Sequence, residues 1–161
     1  MKTSFAAAIA SASLLANQAV VAQSVATAPS IPVPKKCTLS QPARVVASLR
    51  DMPDVASEFR RIKLDIADIG EKYIPFDLQD ELSRGLPHRQ FVRAYVFKNR
   101  TIVWYLRGGF VTNFHVAELR EQVGLKKGDP NVLRLTGRHL SGPPCAATEA
   151  VLAGVDGQQG W

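Results

Sequence analysis

Cysteine is scarce in this chain: Cys37 and Cys145 are the whole supply in 161 residues. Two thiols exclude a disulfide-dense miniature scaffold and a four-cysteine zinc site. The familiar catalytic signatures are missing as well. There is no glycine-rich phosphate loop, no Gly-x-Ser-x-Gly elbow and no Cys-x-x-Cys. An enzyme reading therefore has no anchor, and no cofactor is called for. Past residue 22 no apolar run approaches the ~20 residues that a membrane span needs. No internal repeat is visible. What remains is an ordinary globular composition, 46% hydrophobic and 21% charged, with a formal net charge of +6.

The N-terminus reads as a secretory signal. Lys2 supplies the positive end, Phe5 to Val21 carries no charge, and Val20-Val21-Ala22 offers a peptidase site. Cleavage after Ala22 leaves no membrane span. Residues 23–36 hold Pro29, Pro32 and Pro34 but no aromatic residue, the composition of a flexible lead. A single domain is expected over 37–155, with a loose tail at 156–161. Export puts the chain in the periplasm or outside the cell. There Cys37 and Cys145 are expected to form one disulfide bracketing the domain, worth about 4–5 kcal/mol in the chain-entropy model.

Along the domain, Ser40 and Pro42 read as a helix start, followed by Val45, Val46 and Leu49 at helical spacing. After Pro53, residues Val55, Phe59, Ile62, Ile66 and Ile69 step by four and three. That is a helix period, firm to Ile62 and ambiguous beyond, with Gly70 ending it. Residues 71–89 read as a loop with one helical turn. Phe91–Phe97, Thr101–Leu106, Phe110–Val116 and Val132–Leu140 are rich in β-branched and aromatic residues and read as strands. Connections this short force antiparallel neighbours. A closing helix is expected over the alanine-rich run before Gly154. The fold class is α+β: N-terminal helices packed on an antiparallel β-meander of about four strands, with a short C-terminal helix.

Neither face of the first hairpin is polar. Seven of the twelve aromatic residues fall between Phe91 and Phe114. Arg93, Tyr95, Trp104, Tyr105 and Arg107 are the candidate binding residues: aromatics for contact area, arginines for charge. One face must cover helices; the other is covered by the chain, by a partner or by nothing. Two turn geometries, Asn99-Arg100 or a three-residue loop, leave the register open. His88, His115 and His139 are weak metal candidates. Glu118 fails as a partner of His115 on a strand, because odd and even positions face opposite ways. Asp77, Asp80 and Glu81 read as solvated loop charges.

Charge is segregated. Residues 51–81 hold nine acids and four bases, whereas 82–117 hold six bases and no acid. The expected function is a small exported binding or accessory protein of the envelope, non-enzymatic. Its partner is an anionic envelope component or another envelope protein, not a nucleic acid. The alternative is a metal-binding or hydrolytic protein using His115 with His88 or His139.

Overall fold

The computed structural model describes residues 31–75, 85–124 and 130–157, all within the compact unit Ile31–Trp161. The signal, the first part of the lead, the helical turn and acids of 76–84, the break at 125–129 and Trp161 lie outside the described residues. In chain order the elements are β1 (Arg44–Val46), a 3-10 turn (Leu49–Asp51), α1 (Pro53–Arg61), β2 (Arg89–Val96), β3 (Arg100–Arg107), β4 (Asn113–Gln122), β5 (Val132–Ser141) and α2 (Pro144–Leu152). The strands form one antiparallel sheet in the order β1-β2-β3-β4-β5.

The sheet has five strands, not four. The extra one is β1, where a helix was expected. Val45 and Val46 are β-branched and lie beside the open edge of β2, so ladder hydrogen bonds replace helical ones. Pro42, which has no N–H to offer, stands just before this edge strand. The helix period is kept only in α1, which ends at Arg61. The third strand starts later than expected, at Asn113, and leaves Phe110 97% exposed in the preceding turn.

The hairpin register is neither of the two anticipated. Lys98-Asn99 makes the turn, with the Phe97 N–H donating to the Arg100 carbonyl, so Tyr95 opposes Ile102 and Arg93 opposes Trp104. An irregularity at Val92 then shifts the pairing. It turns Phe91 to the same face as Tyr105, where simple alternation would have placed it with Tyr95.

Both faces of the sheet are covered by the chain itself, which is why neither is polar. α1 lays Val55 and Phe59 on one face, against Phe91, Ala94, Val103 and Leu119. α2 lays Ala147, Val151 and Leu152 on the other, against Tyr95, Ile102, Trp104 and Val116. Ile31, Leu39 and Ala43 of the N-terminal segment pack on this second face too. The Cys37–Cys145 disulfide, with Cα atoms 5.6 Å apart, ties that segment to the start of α2. No described helix is long and apolar enough to cross a membrane.

Both helices stop in the same hydrogen-bond pattern. In α1 the N–H groups of Lys63 and Leu64 donate to Arg60 and Phe59 carbonyls; in α2 those of Gly154 and Val155 donate to Val151 and Ala150. This pattern needs a left-handed residue after the helix, which glycine adopts without strain. Gly154 meets that need at φ 86°, but α1 has Lys63 there at φ 57°.

Candidate functional site

The expected aromatic platform is interior. Tyr95 and Trp104 lie under α2 with ring centroids 5.0 Å apart, and the Trp104 indole N–H donates to Thr148 Oγ1 at 2.8 Å. Arg93 covers the rim, its guanidinium 5.3 Å from the Trp104 ring and bonded to the Lys35 carbonyl. Tyr105 and Arg107 face the other way, toward the α1 side. The five candidate residues are thus split between two faces.

Buried acids elsewhere are fully occupied. Glu118 has no exposed surface and ion-pairs with Arg100, Arg120 and Arg138, while Thr136 donates to it at 3.0 Å. Glu118 lies on the α2 face opposite Ile102 and is not a partner of His115, as the strand parity required. Glu58 accepts from both Arg61 nitrogens, from Arg134 and from the Leu135 N–H, fastening α1 to the free edge of β5. Burial pushes its pKa up, but those bonds and charges outweigh it, and the net direction is down. Asp68 likewise ends low: burial opposes, and N–H groups of Leu49, Ile69 and Arg50 with the Ser48 hydroxyl prevail. These carboxylates hold the fold.

The α1 face shows the reverse arrangement at the end of the sheet beyond α1. Arg89 and Arg107 are direct cross-strand partners, a like-charge pairing that costs stability. Among the described residues neither pairs with a carboxylate within ion-pair distance, and the Arg89 Nε is buried without a hydrogen-bond partner. Beside them Tyr105 on β3, His115 on β4 and His139 on β5 form three nearly parallel rings. His139 Nε2 lies 2.9 Å from Tyr105 Oη and 2.7 Å from His115 Nδ1. The Arg89 guanidinium acts electrostatically on the Tyr105 hydroxyl. His139 Nε2 has one lone pair or one N–H to serve both neighbours, so the tautomer decides which of them donates.

Burial, then the charges of His139, Arg107 and Arg89, lower the His115 pKa to about 4. His139 is lowered by burial and by Arg107 and Arg89. Burial raises the Tyr105 hydroxyl to about 12 despite the two arginines. Burial also lowers Arg89, with Arg107 adding to it and Tyr105 opposing. Burial presses every group toward neutrality; the arginine charges add to it for His115 and His139 and oppose it for Tyr105.

A half-open cavity of about 420 Å³ adjoins this cluster, between Arg61–Leu64, Arg89 and Leu135–Gly137. Its charged lining is Arg61, Lys63 and Arg89, with no acid. Three other cavities each include carboxylates: Asp51, Asp54 and Glu121 in one, Glu118 and Asp156 in another, Asp68 and Glu71 in a third.

His115 and His139 converge, while His88 is exposed just before β2 and outside the cluster. No group of three His, Cys, Asp or Glu suited to a metal occurs among the described residues. Sequence reading passed over Arg89 and Lys63. Lys63 had a signal: Phe59 and Leu64 have the spacing of the apolar pair that closes such a helix end, and the residue before Leu64 is not glycine. Arg89 had none, because its face depends on the irregularity at Val92. Compared against family models, curated proteins and solved structures, the chain finds no match.

Proposed function

We propose that this chain is a small exported binding protein of the cell envelope, non-enzymatic, that holds an anionic ligand at Arg89, Arg107 and Lys63. One observation carries the reading: a cavity lined by cations without an acid, beside two arginines paired with each other instead of with carboxylates. Like charges so placed destabilise the free protein and are relieved by an anion. The disulfide fits an oxidising compartment. Of the residues expected for binding, Tyr105 and Arg107 keep that role; Arg93, Tyr95 and Trp104 serve the α2 face. The partner supplying the anion is an envelope component or another envelope protein.

Calorimetric titration of the mature chain with sulfate tests this. Binding should weaken about tenfold or more in Arg107→Ala, since a charge-assisted bond is worth roughly 1.5–3 kcal/mol, and should fall with added salt. Affinity untouched by the substitution would overturn the reading. The convergence of His115 and His139 favours a second reading, a metal site. The nearby guanidiniums oppose an added cation, and zinc titration separates the two: tight zinc binding lost in His115→Ala would support the metal.

A further inference from the structure

The His115–His139 pair sits against Arg89 and Arg107, and this placement has a chemical consequence. The imidazoles are held neutral by burial and, beyond it, by the arginine charges that an anion would cancel. We propose that the site takes up a doubly charged tetrahedral oxyanion, a phosphate or sulfate group, together with one proton that lodges on the histidine pair.

The inference rests on the anion-binding reading and adds its ligand class and regulation. Arg89 and Lys63 line the cavity, and Arg107 stands across the ladder from Arg89, so two guanidinium forks and an ammonium lie at or beside it. Several acceptor oxygens and two negative charges match that set better than a halide or a single carboxylate. Among the described residues, the charged and titratable groups that face the pair include Tyr105 and Arg107 on β3 and Arg89 on β2. Behind them stand Asp65, which acts on Arg89, and the mutually paired Glu58 and Arg61 on α1. With Tyr105 held protonated by burial, the imidazoles are the groups placed to take the proton. Bond accounting is simple: the proton, taken from solvent, joins an imidazole nitrogen of the pair, and the 2.7 Å contact between His115 Nδ1 and His139 Nε2 persists. A bound anion raises proton affinity there by neutralising Arg89 and Arg107. By reciprocity, acid raises affinity for the anion.

Sulfate is the probe, because it does not itself titrate between pH 5 and 8. Titration calorimetry at pH 5.5 in two buffers of different ionisation enthalpy counts protons taken up. About one proton per sulfate is expected, with affinity falling by up to about tenfold per pH unit as pH rises. His115→Gln should bind sulfate with no proton uptake and a flat pH profile. The wild-type proton count stands even if that variant fails to fold. Cosedimentation with phosphatidic acid vesicles distinguishes sources: protein pelleted assigns a lipid headgroup, protein left in solution assigns a free oxyanion. Sulfate binding without proton uptake overturns this inference and leaves the anion reading standing. No sulfate binding in the wild type, with none of the vesicles retained, overturns both.

Discussion

The two helices of this protein close in the same way with different residues, and the two faces they cover differ accordingly. Under α2 the buried acid is answered: Glu118 meets three arginines, the Trp104 N–H meets Thr148, and a disulfide fastens the cover. Gly154 ends that helix without strain. Under α1 the apolar half is packed just as well, but the far end keeps Arg89 against Arg107 and two neutral imidazoles. There Lys63 occupies the left-handed position, at a cost of roughly 1–2 kcal/mol relative to an unstrained conformation. The contrast teaches where the fold spends stability. Among the described residues, a left-handed lysine and two cross-strand arginines without an acid share one end of one face, which is where the site is proposed.

The largest effect should come from the α2 face. Reducing Cys37–Cys145, or replacing both by Ser, should cost about 4.7 kcal/mol in the chain-entropy model, for a loop on the order of a hundred residues. Urea unfolding with and without reductant reads it. A loss below about 1 kcal/mol would mean that packing alone holds the cover.

Next is Glu118→Ala. It should cost about 3–5 kcal/mol by stranding its arginines. Arg107→Ala, by contrast, should be neutral or mildly stabilising in the absence of anion. If both substitutions destabilise alike, the distinction between satisfied and surplus charge fails.

Acid should then loosen the α1 face first. The folded His115 pKa is about 4 against an ordinary 6.5, so the unfolded chain binds more protons between those values. Stability is complete above about pH 6.5 and falls as pH drops toward 4, by about 3 kcal/mol. Glu58 and Asp68, acids held low in the fold, give up their contributions only as pH falls through and below the ordinary carboxylate range. A thermal-melt profile that is flat from pH 7 to 5 would contradict this order. His115→Gln should flatten it.

The smallest effect is the sharpest test of the comparison. Lys63→Gly removes the strain and should raise stability by up to about 1 kcal/mol. It should also weaken sulfate binding several-fold. Stabilisation without loss of binding would make Lys63 an accident of the helix end.

Much of the fold was legible. β-branched and aromatic runs with short connections required an antiparallel meander, and the two cysteines of a chain read as exported required one bridge. The residues around Ser40 were misread because Ser and Pro open helices and also precede edge strands. Only the neighbouring edge of β2 decides between them. The candidate site was half legible: Tyr105, Arg107, His115 and His139 were singled out, but not as one cluster.

By itself, the sequence determined the α+β class, the strands of the hairpin and meander, and the separation of acidic from basic stretches, because these follow from local periodicity and composition. Tertiary structure decided the register and therefore the faces. A two-residue turn at Lys98-Asn99 and one irregularity at Val92 send Trp104 beneath α2 and bring Arg89, Arg107 and the histidines together. A shift of one residue reverses every side chain on a strand, and nothing local to the sequence records that shift.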